Sequence, residues 1–132
     1  MLIMDIERNL REVERRIARA AERVGRSPEE VTIVVVTKNV ETEAIKAALE
    51  SGIKHVGENR VQEARKKIKS LSTLVPRPVW HMVGHLQTNK AKTAAEIFDI
   101  IHSIDSVSLA EAISHRASSN LPLLIQVNVS VE

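Results

Sequence analysis

The chain has 132 residues, 43% hydrophobic and 27% charged, a balance that argues for one folded domain over residues 1–132 and against disorder. One Trp, one Phe, no Tyr and a net charge of +2 leave little for stacking on nucleic-acid bases or for attracting a polyanion, so no nucleic-acid partner is expected. The lack of Cys excludes disulfides, thiol catalysis and thiolate metal sites. No apolar run is long enough for a membrane, and Asp5, Glu7 and Arg8 argue against a secretory leader, so the expected location is the cytoplasm.

Ile6, Leu10, Val13, Ile17, Ala20 and Val24 recur at helical period and predict one long amphipathic helix, with Gly25 as its stop. Ser27-Pro28-Glu29-Glu30 supplies a cap, a proline and two acids for a single helical turn. Residues 31–39 form a β-branched run that reads as a strand buried on both faces, ending in Lys38. A lysine at the carboxyl end of such a strand either forms a Schiff base with a carbonyl ligand or simply leaves the strand for solvent. This stretch alone leaves both open.

A helix over 42–51 follows, with Ala44, Ile45, Ala48 and Leu49 buried and Gly52 closing it. Residues 53–56 read as the second strand and Gly57-Glu58-Asn59 as a turn, with Asn59 capping a helix that runs to about Leu71 and Gln62 reaching back. The basic run Arg65 to Lys69 reads as a solvated helix face. A loop over 72–78 leads to a third strand over 79–83, a loop over 84–89 and a helix over 90–96. A fourth strand over 98–103, a helix capped by Asp105 or Ser106 and running to about Ser118, and a fifth strand over 123–129 complete the pattern. Strict strand–helix alternation with short connections implies a parallel sheet with helices outside it and right-handed crossovers.

Lys38, Asn59, His81, His102, Gln126 and Asn128 gather near the carboxyl ends of these strands. Gln126 and Asn128 share one face of the fifth strand. Burying both amides requires partners, which are either a polar ligand at a barrel mouth or an internal hydrogen-bond network. The five histidines lack metal-ligand spacing: His81 and His85 straddle a strand end and a glycine, so no metal site is expected. Neither a nucleophile elbow nor a glycine-rich phosphate loop is present.

Five stretches together resemble a known family: Val35-Val36-Thr37-Lys38, Gly57-Glu58-Asn59-Arg60-Val61-Gln62-Glu63, the run from Trp80-His81-Met82-Val83-Gly84 to Lys90, His102-Ser103-Ile104-Asp105, and Ile125-Gln126-Val127-Asn128. Their order and spacing are similar to those of the YggS/PROSC family of pyridoxal 5′-phosphate (PLP) homeostasis proteins. The resemblance implies a barrel of the alanine racemase N-terminal type, a variant of the (β/α)8 barrel. It implies PLP as cofactor, held as a Schiff base on Lys38, with Asn59 near its phenolic oxygen and with His81, Gly84 and His102 at strand-end positions around the pocket. It also implies a role in binding and distributing PLP, with PLP-accepting apo-enzymes as partners.

The family chain continues through three more strands that carry its phosphate-binding groups, whereas this sequence stops after the fifth. The fold expectation is therefore a partial barrel of five parallel strands with outer helices and an extra N-terminal helix. Weakened PLP affinity and self-association through the open sheet edges are expected with it. Two other readings stand beside PLP homeostasis: a racemase- or decarboxylase-like PLP enzyme, and a structural fragment without cofactor. The lack of Tyr and Cys for a second acid or base favours binding over turnover.

Overall fold

The computed structural model describes residues 2–130, with side-chain surroundings from residue 5 onward. Five helices alternate with five strands. They are α1 (Leu2–Arg23), β1 (Val34–Val36), α2 (Thr42–Glu50), β2 (His55–Glu58), α3 (Val61–Ser70), β3 (Val79–Met82), α4 (Ala91–Ile97), β4 (Ile100–Ile104), α5 (Val107–Arg116) and β5 (Leu123–Ile125). All strand pairs are parallel and the spatial order is β1-β2-β3-β4-β5. Sequential order without reversal is the order of a barrel rather than of a doubly wound sheet, and the sheet is a partial (β/α)8-type barrel. None of the described helices is long and apolar enough to cross a membrane.

The stop of α1 follows its chemistry. Gly25 takes φ +67°, its N–H reaches Glu22 O and the Arg26 N–H reaches Ala21 O, a paired closure that satisfies the last carbonyls. The predicted stripe is partly corrected. Leu10 and Ala21 are buried, with Ile6 and Ile17 half-buried, whereas Val13, Ala20 and Val24 are exposed. The helix rests on α2 through Leu10, which clusters with Ala48 and Ile53, and Ile6, Ile33, Val35 and Leu49 pack against them. In α2 the buried residues are Ile45, Ala47 and Ala48, with Ala44 and Leu49 only half-buried.

Register separates the two faces of the sheet. Val56 pairs with Trp80, and Glu58 with Met82. These side chains face the helices, where Trp80, Met82, Ile101, Leu109 and Ile113 form the main core. The other face carries Val34, Val36, His55, Gly57, His81 and Ile100 toward the barrel interior. In β4 three steps from Ile101 to Ile104 oppose two steps from Leu123 to Ile125, so β4 holds a bulge. Without it Ile101 and Ile104 would face opposite sides; with it both enter the core.

The first and last strands are shorter and more open than expected. β1 spans three residues, half-buried or exposed, instead of a nine-residue strand buried on both faces. β5 likewise spans only three exposed residues, and Gln126 and Asn128 lie beyond it in solvent. The reason is shared: both are edge strands, and no described element covers the interior face beside them. Ile125 is 80% and Val129 93% exposed. β2 is shifted two residues forward, so Gly57 and Glu58 belong to the strand and not to a turn.

Trp80 is the largest side chain of the core and is fully buried. Trp80→Ala is expected to lower unfolding free energy by about 3–5 kcal/mol in urea titrations followed by circular dichroism. A loss under about 1 kcal/mol would show that the core is not packed as described.

Candidate functional site

The carboxyl edge of the sheet is assembled from main-chain contacts that continue the strand ladders. Past β1, the Thr37 N–H donates to Gly57 O at 2.9 Å; past β3, the Val83 N–H donates to Glu58 O at 2.9 Å. The chain then turns. The Val40 N–H closes back on Thr37 O at 3.1 Å, and Asn39 between them adopts φ +57°, a region that asparagine tolerates better than most residues. Lys38 sits on this turn. It is exposed rather than desolvated, and its amine has no hydrogen-bond or ion-pair partner among the described residues.

Asn59 is the first residue past β2. The expected cap is not formed: α3 begins at Val61, its cap position falls on Arg60, and no side chain caps it. Because the strand runs two residues further than expected, the cap position moves past Asn59. Its side chain is thereby released, and its Oδ1 is buried without a partner. Gly84 lies against Asn59: a Cβ at position 84 would stand 2.4 Å from Asn59 O and 2.7 Å from its Cα. Only glycine allows this approach, so Gly84 sets the main chain of Asn59.

On the interior face three imidazoles cross three strands. His55 Nδ1 lies 2.9 Å from His81 Nε2, and His81 Nδ1 lies 2.8 Å from His102 Nε2. Successive rings meet edge to face with centroids 5.1 and 5.0 Å apart. Each contact needs one N–H and one lone pair, which a string of neutral tautomers supplies. Burial, reinforced by the flanking histidines, pushes His81 down to about 4, and burial also lowers His102. Both His81 nitrogens are engaged within the string, by His55 and by His102.

On the helix side Glu58 is fully buried. Its Oε1 accepts from Thr37 Oγ1 and from Lys67 Nζ, both at 2.6 Å, and Lys67 Nζ also donates to Thr37 O at 2.6 Å. This corrects the reading of the basic run as a solvated face. Arg65, Lys66 and Lys69 are exposed, whereas Lys67 is turned inward, its side chain only 13% exposed. Glu58, Lys67 and His55 were missed by sequence reasoning. Lys67 had a signal: it lies three residues after Ala64 and six after Val61, on the buried stripe of α3.

A cleft of about 290 Å³ opens at this edge between Asn59, Arg60, His85, Gln87 and Lys90. A larger one, about 570 Å³, lies at the opposite end of the sheet beside Lys54, His55 and Val79, away from Lys38. The structure thus brings Asn59 and Gly84 into contact and links His81 to His102. It sets Lys38 at the same edge as Asn59, one strand away. Among the described residues the buried side-chain atoms without partners are Glu58 Oε2, Asn59 Oδ1 and Ser103 Oγ, all near the carboxyl ends of β2 and β4.

These features define a parallel-barrel protein with a free lysine amine and orphaned polar groups at the ligand-binding end of its strands. Residues 8–132 match the family described as alanine racemase, N-terminal domain, and the chain belongs to that family. It is 42% identical over 132 residues to the pyridoxal phosphate homeostasis protein of Escherichia coli strain K12, covering 97% of this chain and 56% of that protein. With the protein of the same name from Vibrio alginolyticus the identity is 37%, covering 96% and 57%. The solved structure of PipY from Synechococcus elongatus PCC7942 with PLP bound superposes with a TM-score of 0.64 at 43% identity, over 75% of this chain and 46% of that one. The chain spans about half the length of the curated relatives it matches.

The histidine string makes stability depend on pH. The folded value of His81, about 4, lies below the ordinary 6.5, so on acidification the unfolded chain binds a proton first. Stability is complete above pH 6.5 and falls between 6.5 and about 4. Urea midpoints measured across that window should fall for the unaltered chain and fall less for His81→Gln; parallel curves would contradict the assignment.

Proposed function

We infer that this chain is a PLP-binding module of a PLP homeostasis protein, working in the cytoplasm and supplying the cofactor to apo-enzymes rather than turning over a substrate. The observation that carries the reading is the pairing of an unpartnered amine at Lys38 with an orphaned, buried Asn59 Oδ1 at the same edge. The relatives' names and the PLP bound to PipY support it. When bound, PLP supplies an aldehyde for a primary amine, a phenolic oxygen for hydrogen bonding and a phosphate dianion.

Lys38 is the residue to hold the aldehyde end. It sits on the turn at the sheet edge, and among the described residues no carboxylate pairs with its amine. The Asn59 side chain makes no hydrogen bond among the described residues, so its NH2 group is available to donate to the phenolic oxygen while Oδ1 still needs a donor. Gly84 fixes Asn59 in place. His102, neutral and backed by His81, offers a polar wall on the interior face.

Adding PLP to the purified chain should give a visible band that borohydride fixes in place. The band should be absent in Lys38→Ala. No band in the unaltered chain, or an unchanged band in Lys38→Ala, would overturn the reading.

The sheet edges carry a second part of the proposal. Among the described residues β1 and β5 each have a hydrogen-bonded neighbour on one side only, and Ile125, Val127 and Val129 are exposed beside β5. Bare apolar edges pair with other chains, so the 132-residue polypeptide self-associates. Light scattering should show mass rising with concentration, and Ile125→Lys should shift the protein toward monomer. A clean monomer at every concentration would contradict this.

A further inference from the structure

We propose that Glu58 and Lys67 are positioning residues for Lys38, acting through Thr37 to fix the turn that presents the lysine amine. The inference rests on the reading of Lys38 as the cofactor-holding residue and adds to it the two groups that set its place.

Thr37 is held by every polar group it owns. Its N–H donates to Gly57 O, its hydroxyl to Glu58 Oε1, and its carbonyl accepts from both Lys67 Nζ and Val40 N–H. That carbonyl belongs to the peptide bond leading directly into Lys38. It also closes the Thr37–Val40 turn, in which Lys38 and Asn39 are the central residues. Without Lys67, the same carbonyl keeps only the 3.1 Å contact to Val40, across a turn whose second central residue sits at positive φ.

Stability alone is a poor reason for this arrangement. A buried carboxylate and ammonium lose their hydration, and an apolar pair of similar volume commonly folds as well or better. Among the described residues Glu58 Oε2 has no protein partner, so Lys67 and Thr37 satisfy only one of the two carboxylate oxygens. What an apolar pair would not reproduce is direction: Lys67 reaches from α3 to one particular carbonyl, and Glu58 to one particular hydroxyl. Both anchor points lie in Thr37, the residue before Lys38. Glu58 also immediately precedes Asn59, so one clamp sets the two ligand-facing residues of β1 and β2 relative to each other.

The test compares Glu58→Gln, Lys67→Met, the double variant Glu58→Leu/Lys67→Met and the solvent-face control Lys66→Met. Circular dichroism melting reports folding. PLP titration, the rate of borohydride-trapped attachment and its pH profile report Lys38. Hydrogen exchange at the Val40 amide reports the turn without any ligand. The double variant is expected to fold but to attach PLP about tenfold or more weakly or slowly, with a displaced pH midpoint, since small misplacement of a reacting group is costly. Lys66→Met should match the unaltered chain. Val40 should exchange faster in Glu58→Gln and in the double variant, with core amides unchanged.

A folded double variant with unaltered affinity, rate and pH midpoint would overturn the proposal. If the double variant does not fold, Glu58→Gln decides by the same readouts, being nearly isosteric. If the unaltered chain takes no PLP, the reading of Lys38 itself fails. Val40 exchange then decides the clamp alone, and unchanged exchange in Glu58→Gln overturns it.

Discussion

A single carboxylate, that of Glu58, ties together the carboxyl edge of the sheet. It lies where β2, the end of β1 and α3 meet, with no exposure to water, and it draws Lys67 and Thr37 onto one oxygen. Moving such a charge from water costs several kcal/mol, so its partners have no freedom to leave. From that constraint follow the inward turn of Lys67 on an otherwise solvated helix face and the fixed exit of the chain at Lys38. The free amide of Asn59, next in sequence, sits on the same fixed strand end.

Parallel pairing in sequential order then divides the chemistry between two faces. On the helix side Trp80, Met82, Ile101 and Leu109 supply apolar burial, and the bulge in β4 keeps Ile104 with them. On the interior side three imidazoles stand among Val34, Val36 and Ile100, and the string His55–His81–His102 crosses three strands by ring-nitrogen contacts. A core so poor in aromatics relies on close packing of small residues, among them Ala64, Ala91 and Ala94. Gly84 extends the same logic to the loops, because its missing Cβ is the space that Asn59 occupies.

The alternation of strands and helices, the turn before β1, the glycine stop of α1 and the Ser106 cap of α5 were all legible, because each rests on local chemistry that neighbouring residues display. The family resemblance carried the barrel and the order of the motifs. What was not legible depended on partners distant in sequence. The two-residue shift of β2 moved Gly57 and Glu58 from a turn into a strand and took the cap away from Asn59. The partner of Lys67 lies nine residues away in sequence at Glu58 and thirty away at Thr37, beyond any helical spacing rule. The openness of β1 and β5 reflects which elements flank them, and a β-branched run reads the same whether or not a neighbour covers it.

In the proposed function the lysine on the Thr37–Val40 turn, and no other, holds the cofactor. The direct test is peptide mapping by mass spectrometry after adding PLP and reducing with borohydride at substoichiometric cofactor. The pyridoxyl mass is expected on the peptide containing Lys38, with Lys67 unmodified because its amine is engaged by Glu58 and Thr37. Label spread over the exposed Lys66, Lys69 and Lys92, or concentrated at Lys90 in the cleft beside Asn59, would contradict it.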